Sequence, residues 1–239
     1  MLSMLNSLLV AGAISPLAAA QPCDKTLSAL AKPKDGIVRV CLVSKALVPE
    51  RDVALLVVEF DDTARHGGSI AILDLPALQA GKRRALYEDS SSEGIAPFLF
   101  RGGKTLAAIG DFDRSGRMGF ALEYLGDTGG ALKIEAWDKR SATFRPVRFW
   151  TDYGSGGGPG QYDWLDIQGE PGSIEIGEGV IRIGSCRAGW KGKLGVYPVI
   201  ATYKLQGGRY VFDHDEANPN GKPSTDDAPC SNGEDRRLK

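Results

Sequence analysis

The stretch "SIEIGEGVIRIGS" (Ser173–Ser185) carries the pattern that decides the fold. Ile174 and Ile176 alternate with polar neighbours, Gly177-Glu178-Gly179 supplies a turn, and Ile181 and Ile183 alternate back. Alternation with a period of two on both sides of a glycine turn describes two antiparallel strands sharing one apolar face. "ATYKLQGGRYVF" (Ala201–Phe212) repeats the design around Gly207-Gly208. "IEAWDKRSATFRPV" (Ile134–Val147) is a looser relative, with Trp137 and Phe144 flanking its turn. The three share a design without a fixed period, which predicts hairpins and not a solenoid.

Working outward, short runs rich in Val, Ile, Leu and aromatics dominate from residue 37 onward. They are "IVRVCLV" (37–43), "DVALLVVEF" (52–60), "SIAILDL" (69–75), "KTLAAIG" (104–110), "FALEYLG" (120–126), "LKIEAWD" (132–138), "FRPVRFW" (144–150) and "YDWLDIQG" (162–169). Gly, Asp and Ser clusters separate them, as expected of strands. Helix signals are few: "DKTLSALAK" (24–32) has an acidic start and one short apolar face, and "PALQAGKRRALYE" (76–88) has room for a turn or two. The expected class is all-β, mainly antiparallel and hairpin-rich, with one or two short helices.

The totals bound the organisation. A chain of 239 residues with 42% hydrophobic and 25% charged residues fits one ample globular domain. A formal charge of -1 removes any strong electrostatic case for nucleic acid or an anionic membrane. Residues 1–20, "MLSMLNSLLVAGAISPLAAA", carry no charge and have an apolar centre, Pro16, and Ala18 and Ala20 at an A-x-A site. That is the layout of a secretory signal peptide, though without the usual basic residue at its start. Residues 21–212 read as a single β-rich domain. After Phe212 the composition turns polar and rich in Pro, Asn, Gly and Asp, so 213–239 read as a tail.

Cysteine usage agrees with export to the periplasm or beyond. All four cysteines lie after the proposed cleavage site, in even number and with no C-x-x-C pair. Of three connectivities, Cys23 with Cys41 and Cys186 with Cys230 is preferred, because each staples a loose terminal stretch to a nearby strand. Four buried thiols are the alternative.

Familiar enzyme patterns fail on inspection. "GGKT" (102–105) ends like a phosphate-binding loop, but Phe98 stands where the first glycine belongs. "GSGGGPG" (154–160) has Pro159 where a dinucleotide fingerprint needs its third glycine. The two histidines, His66 and His214, sit in no triad or zinc spacing. The chain is therefore not expected to be an enzyme. A hydrolase using unpaired acids such as Glu123 and Asp163 is the outlying reading.

Two constellations remain. "IGDFDRSGRMGF" (109–120) opens like a calcium loop, with Asp111, Asp113 and Ser115 at positions 1, 3 and 5 and the carbonyl of Arg117 at position 7. Gly119 then stands at position 9 and Leu122 where a bidentate Glu belongs. Calcium would be held weakly, in the range of about 10⁻⁴ to 10⁻³ M, with water completing the shell. Alternatively Arg114 and Arg117 replace the cation by pairing with Asp111 and Asp113, or the loop is only an Asp/Ser/Gly turn. The second constellation is "WTDYGSGGGPGQYDWL" (150–165), a Gly/Ser loop bracketed by Trp150, Tyr153, Tyr162 and Trp164. Aromatic rings around a glycine-rich tip suit recognition, while rings packing inward from two strands is the plainer alternative.

"GDFDRSGRMGFAL" is similar to the calcium-loop segment of FG-GAP and VCBS-type repeats, with Ser115 and Gly119 in place of two acids. Followed about thirty residues later by Tyr-Gly-Ser-Gly-Gly-Gly and a Tyr/Trp strand, it resembles periplasmic proteins related to bacterial lysozyme inhibitors. That group includes immunity proteins against peptidoglycan-cleaving effectors. The resemblance covers about a third of the chain. It implies a β-rich fold, a degenerate EF-hand-like loop and a protruding loop that plugs a glycosidase cleft. By position, Tyr153, Ser155, Gly156, Gly157 and Tyr162 would form the plug, with Asp111, Asp113, Ser115 and Arg117 as the metal loop. The partner would be a lysozyme-type peptidoglycan hydrolase. A calcium-stabilised scaffold for envelope attachment or adhesion is the alternative function.

Overall fold

The computed structural model describes residues 21–31, 37–44, 47–48, 51–62, 65–91, 95–97, 109–125, 129–152, 159–168, 174–177, 179–225 and 230–231. Of the sequence expectations, the signal peptide (1–20), "GGKT" and the plug residues Tyr153, Ser155, Gly156 and Gly157 lie outside the described residues.

In chain order the elements are β1 (Gln21–Pro22), α1 (Lys25–Ala31), β2 (Ile37–Ser44), β3 (Val53–Asp62), β4 (Arg65–Asp74), α2 (Leu75–Gln79) and β5 (Ala85–Ser91). Next come β6 (Ile95–Pro97), β7 (Ile109–Gly110), β8 (Gly119–Leu125), β9 (Gly129–Asp138) and β10 (Thr143–Pro146). Then follow β11 (Phe149–Thr151), β12 (Gly160–Tyr162), β13 (Leu165–Gln168), β14 (Ile174–Gly177), β15 (Val180–Ala188), β16 (Val196–Gln206) and β17 (Arg209–Ala217). They form three sheets. The first has the order β1-β2-β3-β4-β5. The second runs β10-β9-β8-β6, with β13 also on β9 and β7 also on β8. The third runs β12-β11-β17-β16-β15-β14. Among the described residues every pairing is antiparallel except β11 with β17. The expected all-β, antiparallel, hairpin-rich class is the observed one.

The hairpins form where the alternation places them. Ile174 pairs with Ile183 and Ile176 with Ile181, which puts the isoleucines on one face. Gln206 pairs with Arg209, so Gly207 and Gly208 alone make the β16–β17 turn, at φ +59 and +77. A two-residue hairpin turn of that hand needs positive φ at both positions, which explains the glycine pair. Trp137 and Phe144 pair across β9–β10 with ring centroids 5.1 Å apart, edge to face.

Strand β3 explains its unbroken apolar run. Val53, Leu55 and Val57 face a core shared by all three sheets, together with Phe120, Leu132, Ile181 and Tyr210. Ala54, Leu56 and Val58 face the opposite way, against Leu27 and Ala31 of α1 and Leu75 and Leu78 of α2. Each such valine or leucine contributes about 1.5–3 kcal/mol by leaving water. Both faces of the first sheet are thus buried, which alternation alone would not allow. The short helices are capped by acids: Asp24 accepts from Leu27 N at 2.7 Å and Asp74 from Ala77 N at 3.1 Å.

Both preferred disulfides form, Cys23–Cys41 with Cα atoms 5.3 Å apart and Cys186–Cys230 with Cα atoms 6.2 Å apart. Among the described residues no helix is long and apolar enough to cross a membrane.

The structure corrects three boundaries. "FRPVRFW" is not one strand: β10 belongs to the second sheet and β11 to the third. "YDWLDIQG" likewise splits into β12 and β13, which lie in the third and second sheets. At each corner the chain crosses between layers, so the apolar pattern on either side serves two different surfaces of one core. Periodicity over so few residues does not register the break. The supposed tail also starts too early, since β17 continues through Ala217. Its acids are matched by bases on β15 and β16: Asp215 with Arg187, Glu216 with Arg182, Asp213 with Lys204.

Candidate functional site

The loop between β7 and β8 gathers Asp111, Asp113, Ser115 and Arg117, as its spacing implies, and binds them to one another. Asp111 accepts from Ser115 N at 3.0 Å and Gly116 N at 2.7 Å. Asp113 accepts from Ser115 N at 3.1 Å and from Ser115 Oγ at 2.5 Å, and it pairs with the Arg117 guanidinium. Arg117 Nε also donates to Ser115 Oγ at 2.8 Å. Arg114 and Gly116 take positive φ, +54 and +79, which brings successive N–H groups onto the carboxylates. Burial opposes ionisation of Asp113, but hydrogen bonds from Ser115 and Arg117 outweigh it and hold its carboxyl below the usual range.

The departure from a full calcium pattern at Gly119 has a packing cause. A Cβ there would lie 2.3 Å from the carbonyl oxygen of Glu135, because Gly119 opens β8 directly against β9. No acid fits at that position. Asp111, Asp113 and Ser115 therefore supply only the opening of a cation loop, and Arg117 already places a positive charge on Asp113. Among the described residues, no three His, Cys, Asp or Glu side chains are grouped to hold a metal ion.

The aromatic-framed glycine segment is the connection of a hairpin. Phe149 pairs with Tyr162, Trp150 with Gln161 and Thr151 with Gly160, so residues 152–159 join β11 to β12 at the end of the third sheet. Trp150 and Trp164 flank it with 38% and 43% of their surface exposed. Tyr162 is half-buried, and its ring lies against Gly160, where a Cβ would meet it at 3.2 Å. Of the proposed plug residues, Tyr162 is the one whose placement is described.

The two constellations meet at a residue the sequence reading passed over. Tyr210, on β17 and fully buried, stacks on Phe149 of the hairpin with centroids 5.9 Å apart. Its hydroxyl donates to the carbonyl of Phe112, between the two aspartates, at 2.9 Å. Burial and the nearby charge of Asp113 push its phenol upward, so it remains a donor at any ordinary pH. On its other side the loop touches the β14–β15 turn, where Arg114 covers Gly179. The aspartate loop is thus a brace that fixes the base of the β11–β12 hairpin. The signal for Tyr210 was its place in the apolar register of β17, which reads equally well as core.

A second group missed by spacing is a polar knot at the junction of the first two sheets. Asp89 on β5 accepts from Tyr87 at 2.9 Å, Tyr124 at 2.5 Å and Lys133 at 2.7 Å. Lys133 also lies 3.2 Å from Glu135 Oε1, while Glu135 Oε2 is buried without a hydrogen-bond partner. Burial, only partly offset by Lys133, raises the Glu135 carboxyl above its ordinary range. Hydrogen bonds from Lys133 and the two tyrosines overcome desolvation at Asp89 and lower it. Asp89 on β5 stands far in sequence from its partners on β8 and β9, so no local motif marks the group. Of the acids considered for hydrolysis, Glu123 lies on β8 with its backbone paired to Leu132, and Asp163 pairs with Arg148 at 3.4 Å.

Compared with models of protein families, with curated proteins and with solved structures, the chain matches none.

Proposed function

We propose that the chain is an exported binding protein that blocks a lysozyme-type peptidoglycan hydrolase. The connection 152–159, with Tyr153, Ser155, Gly156 and Gly157, would enter the substrate cleft. Ser155 and glycine N–H groups would hydrogen-bond the catalytic carboxylates, and Tyr162 would stand at a sugar subsite. Inhibition would be steric, with no covalent step.

One observation carries this reading: the glycine-rich connection springs from a hairpin whose base is immobilised. β11 is paired on both sides, Phe149 stacks on Tyr210, and the aspartate loop holds Tyr210 in turn. Preorganisation of that kind lowers the ordering cost of binding. Exposed Trp150 and Trp164 beside the connection add the rigid aromatic area that interfaces favour. The two disulfides support an oxidising compartment.

The test is inhibition of a panel of lysozyme-type enzymes by the mature chain and by a variant in which Ser155, Gly156 and Gly157 are together replaced by leucine. The expected result is inhibition by the former and a loss of about a hundredfold or more in the latter, with unchanged circular dichroism. A folded variant that inhibits as well as the parent removes the plug.

A further inference from the structure

A groove at the base of the β11–β12 hairpin has the chemistry of a small-anion site. β11 and β17 run parallel with Phe149 beside Tyr210 and Trp150 beside Val211. Arg148 and Arg209, the residues preceding those pairs, therefore enter the sheet next to each other, and the Arg148 carbonyl accepts from Tyr210 N at 2.9 Å. Two like charges on neighbouring strands oppose pairing unless something neutralises them.

Among the described residues the neutralising groups nearby are sparse. Arg148 reaches Asp163 through Nε at 3.4 Å, with more than half of its side chain exposed. Arg209 donates from Nη1 to the neutral Gln161 at 3.2 Å and lies over the Trp150 ring, 5.5 Å from its centroid. Arg117 supplies a third guanidinium, shared with Asp113. All three arginines line one open groove of about 580 Å³, together with Gln161, Gln206 and the Gly207-Gly208 turn, and among the described residues no Asp or Glu lines it.

The groove has the size of a small-molecule site, which typically spans about 300–1,000 Å³. Guanidinium forks match the paired oxygens of a carboxylate or phosphate. The amides of Gln161 and Gln206 both donate and accept, as hydroxyl groups require. We propose that this groove binds a sugar-sized, hydroxylated anion, its carboxylate or phosphate held between Arg148 and Arg209 and its hydroxyls by the two glutamines. The site does not depend on the proposed inhibition, since none of its residues lies in the connection 152–159.

Calorimetric titration of the purified chain at low ionic strength tests it, with glucuronate and glucose 6-phosphate as probes and glucose as the uncharged control. At least one anion is expected to bind with a Kd of about 1 mM or tighter, and glucose at least about tenfold more weakly. Which anion binds better names the source of the charge. Arg148→Gln and Arg209→Gln should each weaken binding about tenfold, while Arg83→Gln, in the connection between α2 and β5, leaves it unchanged. Arg209→Lys should behave as Arg209→Gln does, because it keeps the charge and loses the fork. Circular dichroism and thermal midpoints establish that the variants fold. The site is refuted if neither anion binds, if glucose binds equally, or if the groove variants bind no worse than Arg83→Gln.

Discussion

Replacing Asp113 separates a loop held by its own donors from one waiting for an ion. In Asp113→Ala, Ser115 Oγ and the Arg117 guanidinium lose their acceptor, while Ser115 N keeps Asp111. A hydrogen bond to a buried charged group contributes about 1.5–3 kcal/mol. The half-exposed Arg117 adds about 0–1 kcal/mol. The alanine variant should therefore lose about 1.5–4 kcal/mol, which lowers the thermal midpoint by about 3–16 °C at 2–4 °C per kcal/mol. Asp113→Asn keeps an acceptor for Ser115 and should lose about half as much. Thermal unfolding followed by circular dichroism in chelator gives both numbers. The pH dependence fixes the mechanism. The folded carboxyl is depressed, so its stabilisation is present above the unfolded value of about 3.9 and disappears as pH falls through the folded value. The gap between wild type and Asp113→Asn should accordingly hold from neutral pH to about pH 5 and close below about pH 4. A variant within about 0.5 kcal/mol of wild type at neutral pH, or a gap that persists in strong acid, refutes the brace.

Arg117→Ala leaves Asp113 without its cation, so calcium should raise the midpoint of that variant more than that of wild type; equal responses would show that Arg117 does not occupy the ion's role. Glu135→Gln should stabilise the protein at neutral pH, because the raised carboxyl is a liability once ionised. That advantage should shrink as pH falls through the raised folded value towards the ordinary range, measurable by urea denaturation across pH. Arg187 and Asp215 form a buried two-bond pair at 2.8 and 2.9 Å, so either alone changed to alanine should cost about 3–5 kcal/mol. The double change to apolar residues should cost much less, and additive losses in a double-mutant cycle would contradict the pairing. Replacing both Cys186 and Cys230 by serine opens a closure of 44 residues and should cost about 4 kcal/mol, against about 3 kcal/mol for the 18-residue closure of Cys23–Cys41, read from denaturant midpoints.

What the sequence discloses follows range. The isoleucine alternation at 174–183, the Gly207-Gly208 turn and the Trp137–Phe144 pair are local, and each is found where its pattern places it. The disulfides followed from a proximity argument that needed only the neighbouring strand. Corners at Val147–Arg148 and Asp163–Trp164 were not legible, since strands on either side look alike while facing different layers. The Asp111–Arg117 cluster was visible as a spacing, and Arg117 was visible as an alternative partner; that its guanidinium lies on Asp113 came from geometry. Tyr210 and Arg209 acquire their roles only from partners distant in the chain. Charge and aromaticity at single positions carry no trace of such partners.

The parallel pairing of β11 with β17 has a temporal meaning. β11 has no neighbour on its inner side until β17 has been made, so a chain emerging from its N-terminus completes the first sheet well before the hairpin has anything to lean on. Fragments ending ahead of Arg209 would carry the glycine-rich connection without the strand its hairpin pairs with. A C-terminal truncation would remove that footing while the rest still looks like β structure.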